Sequence, residues 1–272
     1  MNRAAILTAV LAAITLPLSA EELKPETAQA WDQYMKWADA KVQREISSPD
    51  KFLLQSRLSP AEQTAVHRQL ESGGIVVREM KNVVPQDTRF KITDGEIHHW
   101  WGTILLRGVE MSQLMAFLKD YDHHAGKFAD VERSRLISKN GDHYQIYFRL
   151  RRSKAFVTAV YNTEQECQYT GYGSNRVFSR SIANRIAEVE DSGKSSEREK
   201  TPGNDRGFLW RLVSWWRFEQ NGKDIIVELE SASLSRDIPW GVKAIPLLSG
   251  YIRSTPRESL ESVLTSIRKY MH

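Results

Sequence analysis

The chain of 272 residues carries 38 Lys+Arg against 34 Asp+Glu, a formal net charge of +4, a single Cys and 41% hydrophobic residues, with eight Trp, nine Tyr and nine Phe. This composition excludes a disordered, collagenous or disulfide-stapled chain, and a charge so balanced leaves no footprint for nucleic acid. The length admits one large domain, or a medium one with an extension.

Met1 to Ala20 reads as a secretory signal peptide: Arg3 supplies the positive start, Ala4 to Leu16 an uncharged, mostly apolar run, Pro17 its break, and Ser19-Ala20 the small residues of a cut. The run falls short of the roughly 20 apolar residues a membrane span needs. The expected product is periplasmic or secreted. Its sole thiol, Cys167, has no partner for an internal bridge and no obvious base, so a structural role is expected.

Residues 21–95 are expected to form a helical extension packed on the core. Trp31, Tyr34, Trp37, Ala38, Val42 and Ile46 recur at helical spacing over Glu26 to Ile46. Ser59-Pro60-Ala61-Glu62 is a capping box that opens a short helix ending at Gly73-Gly74, and Ile75-Val76-Val77 begins a strand. From Glu96 the period changes to two. Strand-like runs cover Glu96 to Arg107, Val131 to Ser138, His143 to Leu150, Ala155 to Tyr161, Arg176 to Glu190, Gly207 to Glu219 and Asp224 to Leu234, with a short helix at Glu110 to Leu118. The polar stretch Asp191 to Asp205 reads as a long mobile loop. After Trp240 to Ile252, Thr255-Pro256-Arg257-Glu258 reads as a second capping box, opening a helix with the stripe Leu260, Val263, Leu264, Ile267 and Met271. Antiparallel strands followed by one amphipathic helix make an α+β fold.

Asn221-Gly222 is the strongest hairpin signal, suited to the centre of a type I′ turn. With Gln220 facing Lys223, Phe218 would oppose Ile225, Trp216 Val227, Ser214 Leu229, Leu212 Ser231 and Trp210 Ser233. One face is then aromatic and aliphatic with a few hydroxyls. The other carries Arg211, Arg217, Glu219, Glu228 and Glu230 and reads as a solvated ion-pair lattice. The apolar face either packs on the C-terminal helix as core or lines a cavity whose hydroxyls orient a greasy ligand.

The order of Asp120-Tyr121-Asp122-His123-His124 after a short helix, then Arg185 to Glu190, Gly207 to Leu212, Trp216 to Glu219, Val227 to Ser231, Leu234 to Pro239 and a long helix, resembles the START-like (SRPBCC) superfamily in its exported bacterial branch. The resemblance covers about residues 96–272. It implies a helix-grip fold, an antiparallel sheet wrapped around the C-terminal helix, and an internal cavity for a lipid or other hydrophobic small molecule. On that implication the ligand-binding residues are Trp210, Leu212, Ser214, Trp216, Phe218, Val227, Leu229 and Ser231, with Tyr144, Ile146 and Phe148 as the matching inward set of another strand. The family has no universal catalytic residues, so none are assigned, and no cofactor is.

His98-His99 and His123-His124 are poor metal ligands, because neighbours on a strand point to opposite faces; surface or capping roles are expected. Gly171-Tyr172-Gly173-Ser174 lacks the serine between glycines of a nucleophile elbow. Should a general acid exist, Glu228 or Glu230 turned inward beside an Arg is the best candidate. Arg149, Arg151, Arg152 and Lys154 form either a soluble basic turn or a transient contact with anionic membrane headgroups. Three functional readings result: a non-enzymatic carrier of an apolar ligand, a cyclase- or hydrolase-type enzyme using the same cavity, and an interaction module exposing an apolar patch on residues 26–70.

Overall fold

The computed structural model describes residues 20–48, 50–80, 92–154, 157–237 and 246–271. Of the expected signal peptide only Ala20 falls among them, and most of the stretch from Trp240 to the C-terminal helix lies outside them.

A two-residue strand β1 (Glu21–Glu22) leads into α1 (Pro25–Ile46), which opens on proline at its first turn. A 3-10 turn (Gln55–Arg57) and α2 (Pro60–Glu71) follow. In α2 the Ser59 side chain accepts from the Glu62 amide and the Glu62 side chain returns to Ser59, the reciprocal cap expected from the sequence. Next come β2 (Val76–Glu79), β3 (Gly95–Arg107), α3 (Met111–Lys119) and a 3-10 turn at Tyr121–His123. The strands β4 (Val131–Asn140), β5 (His143–Lys154), β6 (Val157–Tyr172), β7 (Arg176–Glu190), β8 (Arg198–Glu199), β9 (Asn204–Asp205), β10 (Arg211–Asn221) and β11 (Asp224–Arg236) precede α4 (Pro246–Tyr270).

All pairings of the large sheet are antiparallel, in the order β2-β3-β11-β10-β7-β6-β5-β4, with β8 beside β7. Helix α4 packs on the inner face of this sheet, and its fit depends on one small residue. A Cβ at Gly102 of β3 would collide with Leu260 and lie 2.8 Å from Leu264 Cδ1, so the helix rests directly on strand backbone there. Helices α1 and α2 cover the opposite, outer face. The fold is α+β with a helix gripped by an antiparallel sheet, as expected, but both faces of that sheet are covered.

Four local expectations are corrected. The β10–β11 turn is centred on Gly222-Lys223, with Gly222 at φ +62° and Lys223 at negative φ, the pattern of a type II′ turn. Asn221 therefore pairs with Asp224 as the last rung, and every pair moves by two: Phe218 opposes Val227, Trp216 Leu229, Ser214 Ser231 and Leu212 Ser233. Because side chains alternate with period two, a shift of two keeps each residue on its expected face. Helix α4 begins at Pro246, so Pro256 is interior to it, and the second capping box marks no helix start. The segment Asp191 to Asp205 carries secondary structure and ion pairs: β8 pairs with the end of β7, β9 pairs with β1, and Glu197 takes both terminal nitrogens of Arg149 at 3.0 and 2.9 Å. Finally, β6 continues through Thr163 to Tyr172, where the sequence reads as a polar run, because its polar groups face partners on β5 and β7.

Candidate functional site

Alternation sorts β10 and β11 into two faces with opposite chemistry. Toward the inner face, Phe218, Val227 and Leu229 are buried with Ile104 and Leu106 of β3, Leu114 and Leu118 of α3, and Leu260, Leu264 and Ile267 of α4. A second cluster joins Tyr144 and Ile146 to Tyr121, Cys167 and Tyr169, with Phe148 partly buried against it. Leu212 is half-buried against a third, made of Ala159, Tyr161, Ala183 and Ile186. Of the expected ligand-binding set, Phe218, Val227, Leu229, Tyr144 and Ile146 are thus enclosed by the protein's own side chains.

A row of different character crosses the sheet from the edge of the first cluster into the second. The register places Trp100, Ser231, Ser214, Ser181, Cys167 and Tyr144 side by side across β3, β11, β10, β7, β6 and β5. At about 4.8 Å per strand, Trp100 to Ser181 spans about 14 Å. Trp100, Ser231, Ser214 and Ser181 are half-buried, as are Trp216, stacked on Phe218 at 5.8 Å and 6°, and Gln165. Ser181 Oγ donates to Gln165 Oε1 and Gln165 Nε2 to Thr163 Oγ1, both at 3.2 Å. Trp100 Nε1 is buried with no acceptor, and among the described residues the hydroxyls of Ser214 and Ser231 make no hydrogen bond. Ser214, Trp216 and Ser231 come from the sequence reading. Trp100, Ser181 and Gln165 were missed, although alternation places all three on the same face.

Trp210 does not join this row. Its Nε1 donates to Asp205 at 3.2 Å, just before β10 begins, and its ring is buried in the outer cluster with Trp31 and Val213. The side-chain bond to the Asp205 carboxylate of β9 overrides extrapolation of the strand alternation. Cys167 is buried with its Sγ 3.1 Å from Ser179 Oγ, and burial pushes its thiol up, which disfavours the nucleophilic thiolate.

The outer face overturns the expectation of a solvated lattice. Arg217, Glu228 and Glu230 are wholly buried, because α1 lies over them and brings two charges of its own, Lys41 and Glu45. Arg217 reaches Glu230 at 2.9 Å and Glu45 at 2.7 Å; Lys41 reaches Glu230 at 2.9 Å and Glu45 at 3.2 Å. Two cations thereby balance two carboxylates. His99, expected at the surface, is buried here with Nε2 3.0 Å from Glu230 and Nδ1 2.5 Å from the Tyr34 hydroxyl. His98, on the other face, is buried 2.9 Å from Ser235 Oγ. Burial alone would raise Glu230, but Arg217 and then His99 hold it well below the usual carboxylate range.

Glu228 is the surplus acid. It accepts from the backbone amides of Leu54 at 2.6 Å and Gln55 at 2.9 Å, which tie the 3-10 turn to the sheet, and burial pushes it up to about 7 despite Arg217. A carboxyl that binds its proton more tightly folded than unfolded adds stability as pH falls through its folded value. Relative to Glu228→Gln, the wild type is expected to gain about 1.4 kcal/mol between pH 8 and pH 6, read from urea unfolding at each pH. A difference that does not move with pH would mean Glu228 stays ionised. His124 acts in the opposite sense: burial lowers it to about 4, so its contribution is lost as pH falls below about 6.5.

Both carboxyls named as general-acid candidates lie on the outer face, away from the inner row. The three arginines of the basic cluster are also spoken for. Arg149 pairs with Glu132 and Glu197, Arg151 with Glu132, and Arg152 with Asp130 and Glu258. Trp31 is buried and Trp37 half-buried on the sheet, so neither belongs to an exposed patch. Two surface clefts lie elsewhere: one of about 430 Å³ between α4 and residues 126–129, and one of about 480 Å³ between α2 and the hairpin tip. Neither touches the inner row.

No protein-family model matches the sequence, and no curated protein matches it. Among solved structures, the chain is similar to the STAR-related lipid transfer protein of Xanthomonas axonopodis (fragment 25–204), with a TM-score of 0.45 and 14% identity over 66% of this chain and 95% of that one. It is similar to human STARD10 with a TM-score of 0.43 and 10% identity over 78% of this chain and 81% of that one. For the Zhui aromatase/cyclase from Streptomyces sp. R1128 the TM-score is 0.39, with 10% identity over 65% and 94%. These are likenesses of fold. The helix-grip architecture stands on the chain's own strand order and on the long C-terminal helix seated at Gly102.

Proposed function

We propose that this chain binds an apolar small molecule against the inner face of its sheet, along the row Trp100, Ser231, Ser214 and Ser181, without catalysis. The observation that carries the reading is that row itself. It is half-buried beside two filled apolar clusters, and among the described residues Trp100 Nε1 and the hydroxyls of Ser231 and Ser214 have no hydrogen-bond partner. Polar atoms at a buried position cost free energy unless bonded, and a few of them on an apolar wall are what orient a mostly apolar ligand. The residues 1–20 add the proposal that binding takes place after export, in the periplasm or outside the cell.

Trp216 separates this reading from a solid core. Trp216→Ala is expected to cost about 1–2 kcal/mol in urea unfolding, well below the roughly 3–5 kcal/mol of a large aromatic removed from a filled core. The same change should weaken binding of the neutral fluorophore N-phenyl-1-naphthylamine at least tenfold. A full core-type loss, with no saturable probe binding by the wild type, would refute the reading.

A further inference from the structure

The polar atoms of the inner row describe the ligand that would satisfy them. Trp100 faces Ser231 across β3 and β11, and Ser214 continues the row on β10. The indole N–H only donates, and Nε1 is out of contact with solvent and without an acceptor. The two hydroxyls donate or accept, and among the described residues neither is engaged. Ser181 differs, because its hydroxyl is already committed to Gln165. The row carries no Lys or Arg. The nearest titratable neighbour on the same face of β3, His98, is engaged with Ser235. The charged residue paired with Trp100 on its other side is acidic Glu79 of β2, which shares its face.

A carboxylate or phosphate brought here would give up its hydration for neutral donors, with no Lys or Arg in the row to offset the loss. A plain hydrocarbon would leave the indole N–H unmet. A carbonyl satisfies the donor without importing charge. We propose, on the reading that this face binds an apolar molecule, that the ligand's polar end is a neutral hydrogen-bond acceptor. It is the carbonyl of an ester, amide or ketone, accepting from Trp100 Nε1 with the Ser231 and Ser214 hydroxyls beside it. Its apolar body extends along the row toward Ser181, with Trp216 and Leu212 flanking Ser214 on either side.

The test is displacement of N-phenyl-1-naphthylamine from the full chain by three probes of equal chain length: methyl laurate, laurate and dodecane. Methyl laurate is expected to displace the fluorophore at about tenfold lower concentration than either of the others, since a buried donor left unmet is expensive. That advantage should vanish in Trp100→Phe, which keeps an aromatic ring and removes the N–H. Equal displacement by methyl laurate and dodecane, or a preference for laurate, would overturn the neutral acceptor and leave apolar binding standing. No displacement by any probe would overturn both. Should Trp100→Phe fail to fold, the order of the three probes on the wild type decides alone.

Discussion

Arg217→Ala is expected to lower the free energy of unfolding by about 3–5 kcal/mol, because it leaves two buried acids, Glu230 and Glu45, to share the single cation Lys41. The guanidinium is wholly buried, and its two terminal nitrogens bridge β11 to α1. The loss is larger than that expected for an exposed pair, since surface ion pairs in general contribute about 0–1 kcal/mol. Urea unfolding at pH 7 measures it. Combined with Glu230→Gln, the two losses should fall short of additive by at least about 1 kcal/mol, as for groups in one network. A single loss below about 1 kcal/mol, with additive behaviour, would show that water enters the network.

The second large effect concerns the residues ahead of the sheet. A chain trimmed to residues 96–272, the extent of the family resemblance, is expected not to fold. Trimming removes α1, α2 and β2, and lays bare Val213, Trp215 and Leu234, which are essentially inaccessible in the whole chain. Each large apolar side chain is worth about 1.5–3 kcal/mol when buried, so these three alone approach the 5–15 kcal/mol of a whole domain's stability. The anchoring contacts leave as well. Asp39 of α1 takes Arg180 through two 2.8 Å bonds and accepts from Trp215 Nε1 at 2.8 Å. Far-ultraviolet circular dichroism and a melting curve decide the matter. A cooperative transition within a few degrees of the whole chain would show that residues 21–95 are dispensable.

Most of the secondary structure is legible because it is local. The period-two runs, the Ser59 cap and the apolar stripes depend on neighbours in sequence. The hairpin register missed by two residues because Asn-Gly suits a type I′ turn, whereas pairing of the two strands places Gly222 first in a type II′ turn. One signal was present and passed over. Within the α1 stripe, Lys41 and Glu45 sit on the same face as Ala38, Val42 and Ile46, and a charged pair there calls for charged partners on whatever the helix covers. The inner row was half legible: Ser214, Trp216 and Ser231 follow from alternation in one hairpin, while Trp100 and Ser181 enter only when β3 and β7 are known to flank it.

By itself the sequence determined the α+β class, the alternation that gives each strand two unlike faces, and the amphipathic helix that closes one of them. Those properties arise between residues a few positions apart, where backbone geometry is the same in any fold. Tertiary structure decided which face is wet. Arg217, Glu228 and Glu230 look like surface residues until α1, some 170 residues earlier, supplies Lys41, Glu45 and a dry environment. The burial of a charge is a property of what covers it, and strand pattern alone does not name the cover.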